Sequence, residues 1–109
     1  MKQGDICLID FISFKGHEQS GLRPAIIMSE EVANLIVVVP LTSKLEALKY
    51  NYSLEIYPSE KNGLKSKSVA LNFQLRVIDK RKITKKIGEI EKEILEKIKS
   101  NVKALLKLK

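Results

Sequence analysis

The residues able to do chemistry are few, and they fall at the ends of apolar runs. Between positions 15 and 24 the chain reads Lys-Gly-His-Glu-Gln-Ser-Gly-Leu-Arg-Pro. The only histidine, His17, stands there with Glu18, Gln19 and Ser20, flanked by Gly16 and Gly21 and closed by Arg23 before Pro24. Gly allows backbone angles that strain other residues, and Pro24 biases Arg23 towards an extended conformation, so these side chains could be presented in a fixed arrangement rather than in a plain solvated hairpin connection. Further along, Thr42 and Ser43 follow a Val- and Ile-rich run, and Gln74, Arg76 and Asp79 lie along a later one.

This set is cationic and hydrogen-bonding. Arg23 offers a planar fork for a phosphate, and Thr42 and Ser43 offer hydroxyls. Such groups can bind a phosphodiester and stabilise the charge that develops when it is attacked. An RNA strand carries its own nucleophile, the 2′-hydroxyl, so cleavage needs a proton acceptor, a proton donor and cationic stabilisation. DNA lacks that hydroxyl, and the set therefore points to RNA. A structural ion pair such as Arg76 with Asp79 is the plainer reading of part of it. One His and one Cys, without a carboxylate cluster at ligand spacing, do not supply the usual metal-ligand set, so neither a metal nor another cofactor is expected. There is also no phosphate-binding Gly-rich loop, no Gly-x-Ser-x-Gly and no Cys/His nucleophile pair.

The elements that must position these residues follow from hydrophobic period. Residues 6–14 read as a largely buried first strand, 24–29 as a second with Pro24 at its first position, and 35–41 as a central strand. Residues 45–51 are ambiguous between loop and weak helix, 52–57 alternate like a half-exposed strand, and Asn62-Gly63 marks a turn. Residues 68–71 and 75–78 are strand-like, which places Gln74 and Arg76 on one face, and 79–82 lead out of the sheet. From there the period changes. Ile87, Ile90, Ile94, Ile98, Val102 and Leu105 recur at three- and four-residue intervals, opposite Lys85, Lys92, Glu96, Lys99 and Lys103, as in an amphipathic helix packed on the sheet. Short strands followed by one helix make a small, mainly antiparallel barrel or sheet with a terminal helix.

Composition agrees with that architecture. A chain of 109 residues is expected to form one domain, 1–109, with a single core. No apolar run approaches the ~20 residues that cross a bilayer. The opening Met1-Lys2-Gln3-Gly4-Asp5 passes straight into a strand pattern without a secretory leader, and the single Cys7, set in an apolar run, suits a buried position in a reducing cytoplasm. Charge is uneven. Residues 80–109 carry eleven Lys or Arg against four Glu, whereas residues 1–79 are balanced at nine each, so the whole net charge of +7 lies in the last thirty positions. That excess favours a polyanionic partner or an acidic protein, or else a solvated lysine-rich helix face.

Taken in order, Gly4-Asp5-Ile6, the Gly16 to Pro24 loop, Pro40-Leu41-Thr42-Ser43 and Gln74-Leu75-Arg76-Val77-Ile78-Asp79-Lys80-Arg81 resemble the MazF/PemK type of toxin from bacterial toxin-antitoxin pairs. The resemblance implies an SH3-like barrel with a C-terminal helix, a homodimer, and a sequence-selective endoribonuclease that cuts single-stranded mRNA without a metal. It also implies products ending in a 2′,3′-cyclic phosphate and a 5′-hydroxyl, and inhibition by a cognate antitoxin whose disordered tail occupies the RNA site. By the same resemblance Arg23 is the arginine that donates or accepts a proton and stabilises the phosphorane, and Thr42 contacts the scissile phosphate. His17 matches one branch of the family, Glu18, Gln19, Ser20 and Ser43 fall with the RNA-binding segments, and Gln74 and Arg76 match positions in the site or its support. Many relatives carry an acidic residue just before the glutamine, where this chain has Phe73. A general base at that position is therefore missing, which favours Arg23 with Thr42, assisted by His17 or Glu18. Two other readings compete: a non-catalytic toxin of the same fold that poisons gyrase by protein contact, which has no need of Arg23 and Thr42 together, and an RNA-binding module without cleavage.

Overall fold

The computed structural model describes residues 1–11 and 21–109. Three long strands, β1 (Asp5–Phe11), β2 (Gly21–Ile27) and β3 (Leu35–Thr42), are followed by β4 (Ser53–Ile56), β5 (Ser68–Leu71), β6 (Arg76–Asp79) and β7 (Ile83–Glu89), then by one helix, α1 (Lys92–Leu105). All pairings are antiparallel, in the order β4-β5-β3-β2-β1-β7, with β6 pairing the first half of β3. The expected mainly β fold with a C-terminal helix is borne out, its small barrel taking the form of a strongly curled seven-stranded sheet.

The runs 6–11 and 35–41 are apolar on both faces because both faces are covered. Ile6, Ile26, Val39 and Leu41 belong to one buried cluster that receives Ile98 of α1, with Ile94, Leu95 and Val102 packed around it. Their strand neighbours Cys7, Ala25 and Val38 join Ile9, Phe11, Ile27, Ile36 and Ile78 in a second. Cys7 is fully buried, as its apolar setting implied, and burial pushes its thiol up from the ordinary value.

β3 changes partner partway along. Its residues Leu35–Val38 pair with β6, whereas Leu41 and Thr42 pair with β5. Pro40 falls between the two ladders, where its missing N–H interrupts neither. Pro24 stands where β2 has only β1 beside it, because the β2–β3 ladder ends at Ala25 and Pro40. The expectation that Pro24 begins its strand is thus corrected: β2 starts at Gly21, and one-sided pairing is what tolerates the proline.

A second correction concerns the basic segment. Residues 79–82 do not leave the sheet; Lys80–Lys82 make one 3-10 turn and the chain returns as β7 against β1. Ile87 and Gly88 therefore lie in a strand, and the helix begins only at Lys92, its N-cap being Glu91. The spacing of Ile83, Ile87, Ile90 and Ile94 mimics a helical stripe, but β-branched residues facing an open edge of β1 gain more from ladder pairing. Glu93 in the first turn and Lys103 in the last suit the dipole of α1. Among the described residues no helix is long and apolar enough to cross a membrane.

The curl is completed by the loop between β4 and β5. Asn62 is fully buried: its Oδ1 accepts from the backbone N–H of Ser59 and of Leu64, both at 3.0 Å, and its Nδ2 donates to Tyr57 O at 2.9 Å and Glu91 Oε1 at 3.2 Å. Ser59 Oγ donates to Glu91 Oε2 at 2.5 Å, and Glu89 N–H donates to Lys61 O at 2.9 Å. Although burial pushes the Glu91 carboxyl up, hydrogen bonds from Ser59, its own backbone and Asn62 hold it below the ordinary value. Gly63, with φ +70°, runs so close to β7 that a Cβ there would meet Ile87 O. The expected Asn-Gly turn is thus bolted to the last strand and to the helix start.

Candidate functional site

Strand register sets Arg23 and Thr42 at neighbouring ends of β2 and β3. The β2–β3 ladder pairs Ile27 with Val38, Ile26 with Val39 and Ala25 with Pro40. Continued past its last pair, the same register sets Pro24 opposite Leu41 and Arg23 opposite Thr42. The two prolines remove the N–H groups that would extend the ladder, so the strand ends separate there instead of sealing. Arg23 also stands opposite Ile9 of β1, and Arg76 opposite Val38 of β3, so Arg23, Thr42 and Arg76 belong to one face.

On that face the Arg76 guanidinium lies 5.0 Å from the centre of the Phe11 ring, a cation–π contact that fixes it at the end of β1. Arg23 and Arg76 are half-buried. Thr42 is buried, and its Oγ1 accepts from the Lys44 N–H at 3.2 Å, which leaves the hydroxyl hydrogen as the group it can donate. Ser43 and Lys44 follow in the open. Gln74 closes a 3-10 turn, Asn72–Gln74, ahead of β6, so strand alternation does not carry it onto the face of Arg76. That turn is held by Asn72, whose Nδ2 donates to Asn101 Oδ1 of α1 at 3.2 Å.

His17, Glu18, Gln19 and Ser20 lie outside the described residues. Asp79 does not pair with Arg76. Its carboxylate accepts from Arg81 Nε at 3.0 Å and Nη2 at 2.9 Å and also caps the Arg81 N–H, and those bonds lower its pKa to about 2. Phe73, in place of the acidic residue of many relatives, packs against Tyr50, with ring centres 5.4 Å apart, beside Ala47, Val69 and Leu71. The position serves a small satellite core. Among the described residues no three His, Cys, Asp or Glu side chains converge as a metal-ligand set.

A cleft of about 350 Å³ opens beside Arg23 and Ser43. Its apolar wall includes Leu8, Pro24 and Leu41, and its rim carries Lys65, Ser66 and Lys85. Sequence reasoning missed both lysines, because each is one exposed cation among the chain's twenty Lys and Arg, and only the closure of the 57–67 loop on β7 brings them together.

Comparison with known proteins places this geometry. Residues 2–106 match the model of the family described as PemK-like, MazF-like toxin of type II toxin-antitoxin system. The chain is 29% identical to Endoribonuclease EndoA of Bacillus subtilis (strain 168) over 102 residues, which cover 90% of this chain and 87% of that protein. It is 32% identical over 91 residues to Endoribonuclease MazF of Staphylococcus saprophyticus, covering 80% and 75% respectively. Among solved structures, MazF from Deinococcus radiodurans (Form-I) superposes with a TM-score of 0.82 at 26% identity over 99% of this chain and 97% of that one. A MazE-MazF structure from the same organism (Form-II) gives 0.75 at 25% identity, covering 100% and 97%.

Proposed function

We propose that this chain, which belongs to the PemK-like, MazF-like toxin family, cuts single-stranded mRNA as the toxin of a toxin-antitoxin pair, with Arg23 and Thr42 at the scissile phosphate. What supports the site is the β2–β3 register, which ends at Ala25 and Pro40 and, continued two steps further, sets Arg23 level with Thr42 where the ladder has stopped. In the reaction the ribose 2′-oxygen attacks the neighbouring phosphorus. The P–O2′ bond forms, the P–O5′ bond breaks, the 2′-hydroxyl proton passes to a base and the departing 5′-oxygen takes a proton. The products end in a 2′,3′-cyclic phosphate and a 5′-hydroxyl.

The Arg23 fork grips the non-bridging oxygens and offsets their added charge. Thr42, its oxygen already accepting from Lys44 N–H, donates its hydrogen to the phosphate. Phe73 supplies no carboxylate, and its ring is committed to Tyr50, so the base is assigned to the 12–20 segment. His17 suits that role by residue type, its ordinary pKa lying nearest neutrality. Glu18, Gln19, Ser20, Ser43, Gln74 and Arg76 are assigned to holding the RNA strand. The 109 residues act as one domain in the cytoplasm.

Two partners besides mRNA belong to this reading. A second copy of the chain is supported by Leu35 and Val77, large apolar side chains 45% and 56% exposed on β3 and β6. A cognate antitoxin is supported by the MazE-MazF structure on which this chain superposes. The test is end-group analysis of RNA fragments made in excess EDTA. Cyclic phosphate and 5′-hydroxyl ends are expected, with cleavage abolished by a 2′-deoxy nucleotide at the cut. Chelation that stops cutting, or cutting of DNA at a similar rate, would overturn the proposal.

A further inference from the structure

The face that carries Arg23, Thr42 and Arg76 also carries an aromatic ring to which the cleavage reaction gives no task. Along β1 the side chains of Cys7, Ile9 and Phe11 fall on one side of the sheet, opposite Ala25, Arg23 and Gly21 of β2. Arg76 stands opposite Val38, which shares the buried cluster of Ile9 and Phe11. β1 ends at Phe11, β2 starts at Gly21, β3 ends at Thr42 and β6 starts at Arg76. With each of these strands antiparallel to the next, the four ends lie along one rim of the sheet. Phe11, Arg23, Thr42 and Arg76 therefore share both a face and a rim.

Phe11 is only 4% exposed and packs in one cluster with Ile9, Ile27, Ile36 and Ile78, so the ring is held firmly and offers a ligand almost no surface of its own. What it meets instead is Arg76, whose Nη1 is buried and whose guanidinium carbon lies 5.0 Å from the ring centre. An arginine side chain turns about several bonds, and unless something holds it beforehand it must be ordered when a phosphate arrives. The negative face of an aromatic ring attracts the cation and steadies it without neutralising its charge. A carboxylate acts differently, as Asp79 does when it takes both Nε and Nη2 of Arg81.

We infer that Phe11 is a positioning residue for RNA: its ring holds the Arg76 guanidinium, before RNA arrives, in the place where it meets a phosphate of the strand on the face of Arg23 and Thr42. The inference rests on the ribonuclease reading above and deepens the part given there to Arg76. Phe11 acts through Arg76 and touches neither the RNA nor the reacting atoms. Its contribution therefore falls on binding rather than on the chemical step.

The experiment replaces Phe11 by mono-, di- and trifluorophenylalanine, which keep the shape of the ring and weaken the negative potential of its face step by step. Each protein is made with Arg76 and as Arg76→Gln. The Kd is measured for a short RNA spanning a mapped cut, made uncleavable by a 2′-deoxy nucleotide at the attacking position. With Arg76 in place Kd should rise at each step, to roughly fivefold with the trifluoro ring, because the free side chain can swing away from a weakened ring and the bound one cannot. In Arg76→Gln the same series should leave Kd flat, as expected of two groups that act as one unit. The single-turnover rate at saturating RNA should stay within about twofold of the unfluorinated protein along the Arg76 series. A flat series with Arg76 present, in an enzyme that still cuts RNA and still needs Arg23, would overturn the positioning role alone. A series as steep in Arg76→Gln as with Arg76 would mean that the ring meets the RNA itself, and would overturn it too. An Arg23→Ala variant cutting as fast as wild type would bring down the cleavage site and with it the face on which this inference rests.

Discussion

Replacing Asn62 by alanine should show how firmly the 57–67 loop is built into the molecule. The side chain makes four hydrogen bonds, to Ser59 N, Leu64 N, Tyr57 O and Glu91. The bond to Leu64 N–H is buried, and a buried donor left without a partner costs about 1–3 kcal/mol, while the others contribute about 0.5–1 kcal/mol each. The expected loss is about 3 kcal/mol, or roughly 12 °C in Tm for a domain of this size. Urea unfolding followed by circular dichroism would measure it. Asn62→Asp is the informative companion. It keeps the Oδ1 acceptor but loses the Nδ2 donor and sets a carboxylate against Tyr57 O and Glu91, whose own pKa is held down by the bonds it accepts. The added like charge raises the Glu91 carboxyl relative to wild type and opposes ionisation of Asp at position 62, so the deficit of Asn62→Asp should shrink as pH falls through the carboxylate range. An Asn62→Ala protein within about 0.5 kcal/mol of wild type would refute the idea that this side chain fastens the loop.

Phe73→Glu should remove the Tyr50 ring contact and lower Tm without raising the cleavage rate, since the ring fills a satellite core; a clear gain in rate would mean that the carboxylate of other family members is needed here too. The Asp79 carboxyl, followed by NMR, should titrate near 2 rather than 3.8. Because its folded value is the lower one, the bonds to Arg81 favour the fold above about pH 4, and that contribution disappears as pH falls through about 2. Arg81→Ala should return the midpoint towards 3.8, and no change would mean that the pair does not form in solution. Sedimentation at micromolar concentration should give a dimer that Val77→Lys weakens; a monomeric wild type would remove the assembly from the account.

Much of the fold was legible because burial leaves a period. The apolar runs that became β1 and β3 and the Ile94, Ile98, Val102 stripe of α1 each match the face they bury. β7 was not legible, since Ile83 and Ile87 extend the helical spacing of Ile90 and Ile94 backwards and only the open edge of β1 makes their segment a strand. At the site, Arg23 and Thr42 were visible as residue types at strand ends, but their juxtaposition depends on a register that sequence does not state. Alternation put Gln74 on the face of Arg76, but Gln74 closes a 3-10 turn before the strand begins, and alternation does not run through that turn. Lys65 and Lys85 carry no local signal at all. Their placement follows from Gly63 and Asn62, which close the loop on β7 from a distance in sequence.

The central claim is that Arg23 does the work at the scissile phosphate, and the most direct measurement is the single-turnover cleavage rate of one RNA in EDTA by wild type, Arg23→Ala, Arg23→Lys and Thr42→Ala. Removing a preorganised cationic donor should slow Arg23→Ala on the order of a hundredfold or more. Arg23→Lys should recover only part of that, because an ammonium keeps the charge and loses the fork. Thr42→Ala should lose less than Arg23→Ala, because a neutral hydroxyl makes a weaker contact than a guanidinium. A folded Arg23→Ala protein cutting at the wild-type rate would contradict the account.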